Sequence, residues 1–151
     1  MLASDHREHR KNVRVISRTK IASAGAGQIV VDRGTAFVAH LCGEGVTLVN
    51  VKNHCDPKVI SKIPAPLSGH SHKVQVSGDI MIVNNERYKK FEPWLAGVRV
   101  YDISSTENPR EIGFFETPGK GVHRMWFVDG EFAHITPTAE GYTDQIYMVL
   151  D

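Results

Sequence analysis

"GVRVYDISSTENPREIGFFETP", from Gly97 to Pro118, decides the fold, because the chain has already written it once. The earlier copy, "GVTLVNVKNHCDPKVISKIPAP", runs from Gly45 to Pro66. The two glycines stand 52 residues apart, and Pro57 with Pro109 and Asn50 with Asp102 keep that offset. Each copy opens on Gly-Val, alternates apolar and polar residues, turns before a proline and adds a second short apolar run. Such alternation in Val, Ile and Tyr is the period of a strand. A fixed offset of this length marks a repeat architecture.

A hairpin-like element precedes each copy, and a third follows. "QIVVDRGTAFVAH" begins at Gln28, "HKVQVSGDIMIVN" at His72 and "RMWFVDGEFAHIT" at Arg124, with Gly34, Gly78 and Gly130 in their turns. The first unit is predicted to hold strands at Gln28–Asp32, Thr35–His40, Val46–Val51 and Lys58–Ile63. The second holds His72–Ser77, Ile80–Asn84, Val98–Ile103 and Arg110–Phe115. The third has only His123–Val128, Glu131–Ile135 and Gln145–Leu150. Asn12–Ile21 reads as a lone outer strand, behind a polar arm over residues 1–11.

Four-stranded antiparallel units of this size predict an all-β fold, a β-propeller of about three blades, at residues 28–66, 72–118 and 123–151. A β-sandwich also has short strands and turns, but the fixed offset argues against it. Closed propellers have roughly four to eight blades. The expectation is therefore a partial ring, either a piece of a longer protein or half of an oligomeric ring. In the second case Asn12–Ile21 of one copy would supply the fourth strand of the third blade in another. Open strand edges would carry self-association.

The same stretches, with "TAFVAH" at Thr35–His40, resemble the LVIVD-repeat β-propeller proteins over residues 12–151. Asn50 stands where those repeats carry Asp, and "NERYKKFEPWLA" is an insertion from Asn85 to Ala96. The family is similar to the selenium-binding, methanethiol-oxidase-like propellers, some of which are thought to hold a metal on channel histidines. The resemblance implies a blade architecture and, more distantly, a metal in the channel. It fixes no ligand, since fold does not fix function.

Composition narrows the alternatives. The chain has 151 residues and a formal charge of +1, so no strongly charged partner surface is implied. Basic residues are scattered, which argues against nucleic acid. No apolar run approaches the roughly 18 residues of a membrane span. The charged start "MLASDHREHRKNVRV" is no secretory signal, and Cys42 and Cys55 lack metal-type spacing, so a cytoplasmic setting is expected. "AGAG" at Ala24–Gly27 precedes a strand rather than a helix, so no nucleotide cofactor is expected.

Eight histidines are the one excess. In a meander blade, turns between the first and second and the third and fourth strands share one face; the other links share the opposite face. That second face collects the reactive side chains. "PLSGHSHK" brings His70 and His72, and "PGKGVHR" brings His123 and Arg124, to the starts of innermost strands. His40 and Asn84 end second strands, leading into Cys42 and Glu44 and into Asn85 and Glu86, and "TAEGYTD" adds Glu140, Tyr142 and Asp144. Imidazoles from separate blades suit Zn, Mn, Fe or Cu.

The candidate metal ligands are thus His40, His70, His72 and His123, with Glu44 or Glu86 as general base and Arg124 holding an anionic small-molecule substrate. Bland readings stand beside these: mouth histidines bonding loop backbone, Arg124 in a structural salt bridge, surface carboxylates, and His134 packed in a strand. His6 and His9 read as solvated, His54 and Cys55 as a turn, Trp126 as blade packing, and Phe91 with Trp94 as a lid or local anchor. Two other function classes compete with a metal-dependent enzyme: a non-catalytic scaffold using the insertion as its contact, and a fragment inactive alone.

Overall fold

The computed structural model describes residues 11–23, 25–41, 43–66, 69–87 and 95–151. These form an all-β molecule of antiparallel sheets. The first sheet is an up-and-down meander of β1 (Ala26–Asp32), β2 (Thr35–His40), β3 (Val46–Asn50) and β4 (Lys58–Ile63). The second runs through β5 (Gly69–His70), β7 (Ile80–Arg87), β8 (Gly97–Asp102) and β9 (Arg110–Glu116), with β6 (Val74–Ser77) also paired to β7. The third holds β10 (Val122–Trp126), β11 (Ala133–Pro137) and β12 (Met148–Leu150). No helix among the described residues is long and apolar enough to cross a membrane.

Alternation sorts the side chains into a core on each face of the second sheet and a smaller cluster of Ala36, Val38 and Val49 with Ile21 on the outward face of the first. Phe37, Ala39, Val46 and Leu48 of the first sheet close on Val74, Met81, Val83 and Tyr101 of the second. Ile82 and Val98, on the opposite face of the second sheet, close on Met125, Phe127, Ala133 and Ile135. Burial of such side chains contributes about 1.5–3 kcal/mol each, so these two seams hold the sheets together.

Polar clamps reinforce the seams at one end. Arg33 bonds Asp32 and reaches across to Asp79 at 2.9 Å and to the Gly78 carbonyl. Ser77 Oγ donates to the Val128 carbonyl at 3.1 Å. At the starts of the inner strands, Gln28 Oε1 accepts from the Val74 amide, and Asn84 Nδ2 donates to the Val122 carbonyl at 2.9 Å.

Several bounds depart from the sequence reading. β11 starts at Ala133 rather than Glu131, because the Asp129 carboxylate accepts from the amides of Glu131 and Phe132 and holds those residues in a turn. The second inner strand starts at Val74, and Gly69–His70 pairs separately with the end of β7, which runs on to Arg87. β12 begins at Met148 instead of Gln145. The described residues before Ala26 (11–23 and 25) carry no strand, since an extended segment without a partner leaves its backbone groups unpaired. Cys42, Phe91, Trp94, His6 and His9 lie outside the described residues.

Candidate metal centre

Glu86 is the hub of the site, and backbone pairing puts it there. The end of β7 is flanked on one side by β5, where His70 stands directly opposite Glu86. On its other side Glu86 forms a bridge with Gly121. That approach is close: a Cβ on Gly121, whose φ is +92°, would meet Ala96 at 2.8 Å. A bulkier residue would hold the 118–123 link, and His123 with it, away from Glu86.

Three imidazoles converge on one carboxylate oxygen. Glu86 Oε2 lies 3.2 Å from His70 Nε2, 3.0 Å from His123 Nδ1 and 3.7 Å from His72 Nε2. The His70 and His72 rings meet edge-on with centroids 4.4 Å apart, and His72 and His123 are 5.2 Å apart. Asn84 braces the His72 ring from behind, Nδ2 to Nδ1 at 3.3 Å, while its Oδ1 accepts from the Lys73 amide. Asn84 and His72 are buried, His70 and Glu86 are largely so, and His123 stands at the edge.

The surroundings set the protonation states. Burial, with the neighbouring His70 adding to it, pushes His72 down to about 4, so the ring is neutral near pH 7. Burial alone would raise Glu86, but hydrogen bonds from His70 and His123 outweigh it and hold the carboxyl at about 2. A neutral imidazole beside an ionised carboxylate is the state in which both ligate a cation. His70, His72 and Glu86 offer ligand atoms all within 4.8 Å of one another, so the group could hold a metal ion. Tetrahedral ligands about 2.0–2.2 Å from a zinc ion stand about 3.3–3.6 Å apart, close to the distances from Glu86 Oε2.

A cavity of about 660 Å³ opens beside the cluster. Glu86 and His123 form its near wall, with Lys120, Thr138, Tyr142 and Gln145 around it. Of these, Lys120, Thr138 and Gln145 were not singled out as site residues from the sequence; the signal for Lys120 was its place inside "PGKGVHR", next to the bridging Gly121.

The other candidates stay outside the cluster, although the backbone of His40 bridges that of Ser71, between His70 and His72. His40 is buried, with Nε2 2.9 Å from Thr47 Oγ1, and burial lowers its pKa; its partner is the neighbouring strand rather than the cluster. Glu44 accepts from the amide and hydroxyl of Ser23. Arg124 is exposed on β10 and does not line the cavity; its charge is felt by Lys73, whose pKa it helps to lower after burial. His134 Nδ1 meets the Tyr147 hydroxyl at 2.8 Å on the outer face of the third sheet. Cys55 is a free, exposed thiol in its turn.

No protein-family model matches the chain, and no curated protein is similar to it.

Proposed function

We propose that the chain is a β-propeller unit of the LVIVD-repeat kind that binds one divalent transition metal on His70, His72 and Glu86 and acts on a small molecule in the adjoining cavity. The observation that carries this reading is the convergence of His70, His72 and His123, from separate segments, on Glu86 Oε2. The meander order of the first sheet and the two seams on either side of the second support the propeller part. A metal held by these residues would supply a Lewis acid beside the cavity that Glu86 lines. Glu86 brings the negative charge, His72 a ring already neutral, and Asn84 a fixed orientation for that ring. His123, at the cavity wall, is placed to take or give a proton to a bound molecule.

A metal-free reading has its own support. The Glu86 bonds to His70 and His123 tie two inter-strand links together and leave the carboxylate partnered without an ion.

Titration of the chelator-treated chain with Zn(II) and Co(II), followed by elemental analysis after dialysis, separates the two. One ion per chain is expected, with affinity falling at least about tenfold in Glu86→Gln and in His70→Ala. Absence of stoichiometric binding, or binding unchanged in Glu86→Gln, would leave the metal-free clamp as the reading.

A further inference from the structure

The row pattern by which the three sheets pack continues onto the two outermost sheet faces. Cross-strand rows make this visible. In the first sheet the row Val30–Phe37–Leu48 packs on the second sheet. In the second sheet the corresponding row is Gln75–Ile82–Val100, and Ile82 and Val100 pack on the third sheet. In the third sheet the corresponding row is Trp126–His134–Val149, which meets no sheet among the described residues, and Trp126 is 62% exposed.

The opposite faces repeat the pattern in reverse. Val76, Met81 and Tyr101 form the row of the second sheet that turns toward the first. Its counterpart in the first sheet, Val31–Ala36–Val49, points away from the second sheet, as does Ile29. Val31 and Ile29 are each 60% exposed. Ala36 and Val49 of that row are covered by Ile21 and Val51 of the same chain, so Ile29 and Val31 are the part of this face that stays exposed.

The strand edges say the same. β12 is the outer edge of its sheet among the described residues. Beside it runs an apolar groove of about 570 Å³ between the second and third sheets, floored by Val98, Phe114, Phe115 and Leu150. An edge with an apolar groove accepts an added strand whose alternate side chains fill the groove. Residues 12–21 are such a segment. Val13 and Val15 project to one side of an extended chain, and Val13 is 72% exposed. The end of the segment covers part of the outward face of the first sheet: Ile21 packs on the buried Ala36, Val38 and Val49, and Ser17 Oγ donates to the His54 carbonyl, so joining a partner's sheet would lift residues 12–21 from these contacts.

We propose that two copies of the chain associate head to tail, the third sheet of each lying on the first sheet of the other, with residues 12–21 of each copy added as the strand outside β12 of its partner. This rests on the propeller reading above and goes beyond it. Two copies supply six sheets, within the roughly four to eight that close a ring. A head-to-tail contact made twice about a two-fold axis is closed rather than open-ended.

Light scattering on the full chain eluting from a sizing column, with metal measured in the same peak, tests this. The expected mass is twice the chain mass of 16.8 kDa. Val15→Pro, Trp126→Glu and Ile29→Glu lie at exposed positions and are each expected to halve that mass with an unchanged far-UV spectrum. Mixing the Trp126→Glu and Ile29→Glu chains is expected to restore a two-chain species, since one of the two contacts then has both faces intact. A single-chain mass for the unmodified protein, a mass that climbs past two chains with concentration, or an Ile29→Glu variant that stays dimeric would overturn the proposal. A metal-loaded single chain would sink the dimer alone, and a metal-free dimer would sink the metal centre alone.

Discussion

At the scale of single residues, His72 and Glu86 make the fold sensitive to acid in two adjoining windows. The unfolded pKa of a histidine is about 6.5 and that of a glutamate about 4.3. Burial lowers His72 to about 4 in the folded chain, so between these values the unfolded chain binds the extra proton. Stability therefore rises with pH across that window and is lost as pH falls through it. Glu86, held at about 2 by His70 and His123, contributes stability present above its unfolded value and lost as pH drops toward 2. His70, His123 and Lys73 face the same pair and share its field. Within the His72 window each step of one in pH costs at most about 1.4 kcal/mol, so the whole window costs up to about 3 kcal/mol. Urea midpoints of the metal-free chain are expected to fall steadily from pH 7 to pH 4. His72→Gln should flatten that fall; an equally steep fall in the variant would assign it to other groups.

At the scale of elements, the repeated Gly-Val has a physical cause. Gly45 and Gly97 both take positive φ, +77° and +151°. A Cβ at either would fall inside a backbone oxygen of the neighbouring strand, that of Ile63 for Gly45 and that of Phe115 for Gly97. Gly45→Ala and Gly97→Ala are each expected to cost about 2–3 kcal/mol or more, read as a drop in urea midpoint at constant slope. A loss below about 0.5 kcal/mol would mean that the strand entry relaxes freely. The matched pair Asn50 and Asp102 is explained in the same terms. Each side-chain oxygen accepts from the amide two residues on, Lys52 and Ser104, so asparagine serves in the first copy where the second carries aspartate.

The repeat thus made the strands legible, and β2 and β4 carry the bounds the alternation implied. It also placed His70, His72, His123 and Glu86 on linking segments of one end. What alternation could not reveal was tertiary. The extension of β7 to Arg87 depends on β5 and on Gly121, far along the chain, and that extension turns Glu86 from a loop carboxylate into the hub of the cluster. His40 ends its strand just as the repeat suggests, but Thr47 on the adjacent strand claims its ring, a pairing the sequence does not spell out.

At the scale of the whole molecule, the two cores are separate seams, and the first and third sheets share none. Stability in such a stack is approximately a sum of sheet terms and nearest-neighbour seams. A cavity cut into one seam should then loosen the sheets it joins and spare the sheet beyond. Ile135, buried in the seam between the second and third sheets, loses about 2–5 kcal/mol on truncation to alanine. Phe37 holds the other seam. Native-state hydrogen exchange should be read in the Val15→Pro background, which removes the proposed association from the comparison. There Ile135→Ala is expected to speed exchange in β10, β11 and β12 while β1–β3 keep their protection, and Phe37→Ala to do the reverse. The three-stranded third sheet, with the shorter ladder, should open first in that background. Equal acceleration in all three sheets from either substitution would mean that the second sheet transmits each loss across both of its faces, and that the stack unfolds as one unit.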